Sequence, residues 1–256
     1  MSKKPVPVSK QESKSKRQMV KEQRLRRQRQ QRLAVVLTIA GIALLLTAFL
    51  VAPTIQRALE PVGEIVPITP VDRPQPNGTA LGDPNAPVLI EVWSDFQCPA
   101  CRIFAQEIAP QVIETYVASN QARFVYRHFP FLDDNSFSKE SDQAANASMC
   151  AAEQNRFWDY HDILFANWNG ENAGAFSDKR LEAFAESLGL DMQAFRACFR
   201  ENSYKSQIEQ DLQDGIRAGV DGTPSVFVNG VMLTPGKVPS FQDVAVAVES
   251  ALGSGN

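Results

Sequence analysis

The sequence predicts an α/β domain of order β-α-β, a helical insertion, then β-β-α, following a single N-terminal transmembrane helix. Three observations predict it. A short apolar run, Val88–Ser94, leads directly into a helical pattern at Cys98-Pro99-Ala100-Cys101. Helical periodicity over about 138–219 then separates this half from a second half built around an Asn229-Gly230 turn. Upstream, Leu33 to Ala52 is 20 residues without a charge.

The N-terminal third divides by charge. Residues 1–32 carry 12 Lys/Arg against Glu12 and Glu22, a net +10, while the rest of the chain carries −13. A basic arm alone would suit nucleic acid. Placed before an apolar segment it reads instead as a topology signal, and no nucleic-acid partner is expected. The 20 residues 33–52 match a bilayer core of about 30 Å. The positive flank stays in the cytoplasm. The expectation is a single-pass cell-membrane protein with its N-terminus cytoplasmic and its domain extracytoplasmic. A cleaved signal peptide would have an apolar core of about 7–15 residues and an A-x-A-like exit. The 32-residue leader favours an uncleaved anchor. The lipid bilayer is then a partner through residues 33–52, with the basic arm against anionic headgroups. Residues 53–78 contain Pro53, Pro61, Pro67, Pro70, Pro74 and Pro76 and read as a semi-extended spacer. The folded domain is expected over 79–256.

Within that domain, Val88–Ser94 is short, apolar and β-branched, the pattern of a buried strand. Glu91 interrupts it, either as a rim carboxylate, the favoured reading, or as a buried group passing a proton to Cys101. A helix should run from Pro99 to about Val117, with Ile103, Phe104, Ile108, Ile113 and Tyr116 inward and a kink at Pro110. Gln121–His128 is the next strand. Helices follow over Ser138–Gln154, Arg156–Trp168, Asp178–Leu188, Asp191–Arg200 and Tyr204–Ala218, the last stopped by Gly219 and Gly222. Ser225–Val228 and Val231–Leu233 flank the Asn-Gly hairpin turn. A helix over Ser240–Leu252 closes the domain. The first half implies parallel pairing through a helix, the second an antiparallel hairpin with a covering helix. The Phe157–Phe165 face reads as core, with an apolar groove for unfolded clients as the alternative. His128 and His161 read as packing residues.

The chemistry concentrates in the cysteines. Residues three apart on a helix lie on one face, with Cβ atoms about 5–6 Å apart. That is compatible with a disulfide, whose Cα atoms lie about 4.4–6.8 Å apart. Proline suits the first helical position, so Cys98 becomes the N-cap and Cys101 lies one turn inside. The free N–H groups and the helix dipole then favour the Cys98 thiolate. Cys98 is the expected nucleophile and Cys101 the resolving cysteine. A C-x-x-C pair also fits half of a zinc site or a plain structural bridge. Zinc needs two further ligands at suitable spacing, and Cys150, Cys198, His128 and His161 form no second close pair. No metal and no cofactor are expected. Disulfides persist outside the cytoplasm. An even cysteine count permits a second, structural bridge between Cys150 and Cys198 by elimination, with two separate buried thiols as the alternative.

These residues carry a resemblance. Ser94-Asp95-Phe96-Gln97-Cys98-Pro99-Ala100-Cys101 at a strand-to-helix junction, the helical insertion, and Gly222-Thr223-Pro224 before a strand resemble the membrane-anchored DsbA-like thioredoxin-fold disulfide oxidoreductases. Cys150-Ala151-Ala152-Glu153-Gln154 and Phe157-Trp158-Asp159-Tyr160-His161 are similar to its bacterial branch. The resemblance spans about Gly82 to Leu252. It implies a thioredoxin fold and a protein thiol-disulfide oxidoreductase. Cys98 would form a mixed disulfide with a substrate protein and Cys101 would resolve it. Pro99 and Ala100 would support the site. Pro224, in cis, would sit beside the Cys98 sulfur, and the Thr223 backbone would pair with an extended substrate strand. The implied partners are exported or cell-surface proteins with cysteines and a membrane quinone-linked thiol oxidoreductase. One residue departs from the pattern. The best-known oxidases have His where this chain has Ala100, which offers the thiolate no charge or hydrogen bond. The disulfide should be less oxidising than about −120 mV yet above about −270 mV. Oxidation of exported proteins is the expected direction. A reductase or isomerase working from the dithiol state, and a non-catalytic anchored peptide-binding module, are the alternatives.

Overall fold

The computed structural model describes residues 10–59, 61–133, 139–234 and 237–253. The chain forms two units, divided between Pro61 and Val62. The first is a single helix, α1 (Lys10–Leu59). Its Gln18–Ala52 stretch is long and apolar enough to cross a membrane. The helix includes the Gln/Arg-rich residues before Leu33 and does not stop at Pro53, where the spacer is expected to begin. One proline removes one helical hydrogen bond and kinks a helix without having to end it.

The second unit starts at Val62, earlier than the expected Thr79. Residues 62–78, read from sequence as a spacer, lie along the domain. Val66 N–H donates to Asn167 Oδ1 at 2.8 Å and Asn167 Nδ2 donates back to the Val66 carbonyl at 2.9 Å. Arg73 pairs with Asp162 at 2.5 Å. An extended proline-rich segment makes no hydrogen bonds of its own, so its backbone is free to take partners from a neighbouring surface.

Five strands follow: β1 (Ala80–Leu81), β2 (Val88–Ser94), β3 (Ala122–His128), β4 (Ser225–Val228) and β5 (Val231–Met232). Their order is β1-β3-β2-β4-β5. β2 and β3 are parallel, with Ser94 opposite His128. β4 runs antiparallel to β2, with Trp93 opposite Ser225. β1 has no counterpart in the sequence reading, because two residues carry no alternation to detect.

The helical run 99–117 joins β2 to β3. It consists of α2 (Pro99–Ile103), a π segment (Phe104–Ile108), α3 (Ala109–Val112) and a second π segment (Ile113–Val117). The expected disturbance at Pro110 takes this form: Pro110 has no N–H to offer the preceding turn, and a π turn lies there. Ile103 was expected inward and is instead 48% exposed. It lies two residues beyond buried Cys101, on the opposite side of the helix.

The insertion comprises α4 (Glu140–Ala152), α5 (Phe157–Ala166), α6 (Asp178–Ser187), α7 (Met192–Glu201) and α8 (Lys205–Arg217). Ser138, the expected first residue of α4, lies outside the described residues. Asp191 caps α7, accepting from the N–H groups of Gln193 and Ala194. The final helix is α9 (Phe241–Gly253).

Alternation along β2 splits the core. Val88, Ile90 and Val92 belong to the main cluster with Phe124, Tyr126, Val226 and the insertion residues Phe157 and Leu164. Trp93 and Phe227 meet Phe129 and Val220 on the other face. α8 comes close there: a methyl group on Gly215 would lie 2.7 Å from both Trp93 and Phe129.

Cys150 of α4 and Cys198 of α7 are joined in a disulfide, with Cα atoms 5.8 Å apart across 48 residues of chain. The bridge ties α4 to α7, helices in which Ala151 and Phe195 are buried. Closing a loop of this length restricts the unfolded chain. Replacing both cysteines by Ser should lower the unfolding free energy by about 2–4 kcal/mol. The urea midpoint of the oxidised chain, compared with that of the variant, measures it.

Candidate active site

The site forms where β2 ends. Cys98 is the N-cap of α2, with φ −73° and ψ 121°, and Pro99 occupies the first turn. Cys98 and Cys101 are both free thiols and both buried, 6% and 1% exposed. Pro99 is exposed and Ala100 half-buried, so the tip of the turn faces solvent while its sulfurs face inward.

The Thr223-Pro224 loop stands opposite. The peptide bond between these residues is cis. The Cys98 thiol donates to the Thr223 carbonyl at 3.2 Å. The buried Thr223 hydroxyl has no hydrogen-bond partner among the described residues, which leaves it free to donate to a sulfur once that sulfur is ionised. The structure thus brings together Cys98, Cys101, Thr223 and Pro224, 125 residues apart in the chain.

The two thiols differ in acidity. The Cys98 pKa is lowered to about 6, chiefly by a hydrogen bond from the Cys101 thiol. Burial opposes this, and Thr223 and the N–H groups of Cys101 and Ala100 reinforce it. The value lies between about 7 and about 3.5, the span over which C-x-x-C thiols of this kind range. Burial pushes the Cys101 thiol well up, and the developing charge on Cys98 adds to the effect. One sulfur is therefore ionised at neutral pH and the other protonated.

A network of polar groups fixes the loop before Cys98. Asp95 and Gln97 are 2% and 0% exposed. The Asp95 carboxylate accepts from Gln97 N–H at 2.8 Å, Leu132 N–H at 3.2 Å and the Ser141 hydroxyl at 2.7 Å. The Gln97 side chain donates to Ser141 and Asp133 and accepts from Asn172 N–H. Trp168 Nε1 donates to the Gln97 carbonyl at 2.6 Å, and Arg102 lies 5.5 Å over the Trp168 ring. Burial pushes the Asp95 carboxyl up to about 7 against these bonds. Asp133, Ser141, Trp168 and Asn172 were not identified from the sequence. They lie 35 or more residues from Cys98, and no local spacing links them to it.

Glu91 does not serve Cys101. It lies on the opposite face of β2, bound by Arg127 at 2.9 Å, which also reaches Asp211. His128 and His161 are both buried, as expected for packing residues. Among the described residues no cluster of His, Cys, Asp or Glu could hold a metal ion.

The reduced protein should show a thiolate titrating near pH 6, read from thiolate absorbance or from alkylation rate against pH. Ala100→His should lower this midpoint, since an imidazolium stabilises the anion. The sign for stability follows by linkage. A thiol with a depressed folded pKa contributes stability that is lost as pH falls through about 6 and is fully present above its unfolded value near 9.0. Reduced protein should therefore gain stability relative to the Cys98–Cys101 disulfide form across that window, measured by denaturant unfolding of both forms.

Comparisons with known proteins agree with this geometry. Residues 75–244 match the family model described as Thioredoxin. The probable disulfide bond formation protein D of Bacillus cereus is 27% identical over 177 residues, 68% of this chain and 78% of that protein. The Na(+)/H(+) antiporter NhaA 3 of Salinispora tropica is 34% identical over 166 residues, 65% of this chain. The chain spans only 23% of the length of that antiporter. The solved structure of oxidised BdbD from Bacillus subtilis aligns with a TM-score of 0.61 at 21% identity, covering 75% of this chain and 100% of the other. That likeness is one of fold.

Proposed function

The chain belongs to the thioredoxin family, in its DsbA-like branch, and from that premise we propose that it is an extracytoplasmic thiol-disulfide oxidoreductase that oxidises cysteine pairs of exported or cell-surface proteins. The observation that carries the reading is the asymmetric pair. Cys98, with its pKa near 6, faces the Thr223 carbonyl and a cis-proline, and Cys101 is buried behind it. Stabilising the thiolate of the reduced form makes the disulfide form the better oxidant.

In the proposed cycle a substrate thiolate attacks the Cys98 sulfur of the disulfide form. The Cys98–Cys101 bond breaks and a mixed disulfide forms. A second substrate thiolate attacks the substrate sulfur of the mixed disulfide, Cys98 leaves as a thiolate, and the two electrons given up in forming the substrate disulfide remain on the Cys98/Cys101 dithiol. A membrane quinone-linked thiol oxidoreductase then takes them. The Thr223 backbone aligns an extended substrate strand, and exposed Ile103 and Pro99 offer it apolar contact. The apolar helix Gln18–Ala52 and the basic residues before it support membrane anchoring with the N-terminus in the cytoplasm. Ion transport is not carried over, because the antiporter match covers under a quarter of that protein.

Cys101→Ser in the full-length chain tests the cycle. Without the resolving sulfur, mixed disulfides at Cys98 should accumulate with exported cysteine-containing proteins and with a membrane oxidant. Capture of reducing proteins alone, with wild-type Cys98 and Cys101 found as thiols in the cell, would reverse the direction. Capture of nothing would leave only a binding module.

A further inference from the structure

The buried Cys101 thiol must lose a proton each time it attacks, and neither Glu91 nor solvent reaches it directly. A small cavity of about 10 Å³ lies against Cys101, Ser94, Tyr126, Trp158, Arg73 and His161. This is about the least space that holds one water. Trp158 Nε1 and Arg73 Nε, both buried, have no partner among the described residues, so a water there has polar atoms to meet. His161 is oriented for the task. Its Nδ1 lies 2.9 Å from Asp162 Oδ1. A carboxylate only accepts, so Nδ1 carries the proton and Nε2 is left with a lone pair. Asp162 is in turn held by Arg73 at 2.5 Å. His161 also lines a second, open groove of about 660 Å³ between residues 68–74, the 99–117 run and α5, together with Arg73, Asp162, Ala105 and Ile113. One imidazole therefore borders both the small cavity against Cys101 and the larger groove.

We propose that His161 is the proton acceptor for Cys101, acting through a water in the cavity the two residues share and exchanging protons with solvent through the groove. The inference rests on the oxidoreductase reading above. Its step is the closing one of reoxidation. Cys98 has attacked a disulfide and holds one of its sulfurs in a mixed disulfide. The Cys101 proton passes through the water to His161 Nε2, and the Cys101 thiolate attacks the Cys98 sulfur. The Cys98–Cys101 bond forms, the mixed disulfide breaks, and the outer sulfur leaves as a thiolate with the bonding pair of the broken S–S bond. The imidazolium is balanced by Asp162. In the reverse direction the same proton returns to Cys101 as it leaves.

His128 is a poorer candidate. Its backbone N–H is held by Asp211, but among the described residues its ring has no carboxylate partner, its Nε2 is unpaired, and burial pushes it down to about 3. The titratable and charged groups facing His161 are Asp162 on its own helix, Arg73 of the 62–78 segment, Tyr126 and His128 of β3, and Cys101, with Asp72 and Glu114 further out in the groove. Burial holds His161 below the usual imidazole range, and Asp162 opposes this. It is neutral, and so able to accept, at neutral pH.

The test uses the reduced full-length chain in detergent micelles, mixed with oxidised glutathione. Acid quenching and mass analysis separate the dithiol, the Cys98–glutathione mixed disulfide and the closed Cys98–Cys101 disulfide. Capture by Cys98 serves as the internal reference, and closure is the step read. In wild type the closure rate should be flat through the neutral range. In His161→Gln it should be roughly 100-fold slower there and should rise with hydroxide, approaching wild type in alkali. Asp162→Asn, which keeps the ring but removes its counter-charge, should give a smaller loss of the same pH form and carries the test if His161→Gln does not fold. Closure at the wild-type rate in either folded variant, or a loss uniform across pH, overturns the proposal. A wild-type chain that captures no glutathione overturns the oxidoreductase reading, and this inference with it.

Discussion

The placement of Cys98 depends on one buried carboxylate. Asp95 is withdrawn from water at the end of β2 and takes hydrogen bonds from three separate places: its own loop, the turn containing Leu132, and Ser141 in α4. Removing a charge from water costs several kcal/mol unless such bonds replace it. The bonds can form only when strand end, turn and insertion are assembled together. The reactive turn is therefore fixed by the insertion as much as by the sheet. The arrangement has a cost, since folding raises the Asp95 carboxyl to about 7. Between its unfolded value near 3.8 and about 7 the folded state holds the extra proton, so this group opposes folding increasingly as pH rises through that window. The loop is held by geometry despite an unfavourable charge.

The sheet divides two duties between its faces. Ser94 and Val92 point to the side where Cys101, Tyr126 and His161 gather. Glu91 and Trp93 point to the other, where Arg127 links Glu91 to Asp211 of α8. Arg127 is partly exposed, so this pairing contributes modestly. It neutralises Glu91 beside an apolar cluster and places no carboxylate near the resolving sulfur. A one-residue slip in β2 would exchange the two faces. The parallel pairing with β3 and the antiparallel pairing with β4 together prevent it.

Most of the fold was legible because its signals are local. The strand at Val88–Ser94 and the hairpin at Asn229-Gly230 were identified from a few residues each, as was the helix start at Pro99. So was the acidity of Cys98 as far as its own turn sets it; the contribution of Thr223 was not. What the sequence concealed is distant or unpatterned. Ser141 and Trp168 reach Gln97 only through the packing of the insertion. His161 reads as one more ring in an aromatic helix, and its role depends on a cavity lined also by the 62–78 segment, β2, the 99–117 run and β3. Residues 62–78 read as a spacer because proline content describes local stiffness and says nothing of which surface the segment lies on. Ile103 lies outside the narrow stripe that buries Cys101 and Phe104, although it is apolar like them.

The Cys150–Cys198 bridge is buried within the insertion that holds the Cys98 loop. Joining two thiols removes two electrons, and no residue of a newly made chain can accept them without itself being oxidised first. A nascent molecule therefore reaches its finished form only after an oxidant has acted on it from outside. The chain needs, during its own maturation, a thiol-disulfide exchange of the kind that its finished site can carry out. Its supply thus depends on the redox state of the compartment in which it matures, as well as on its rate of synthesis.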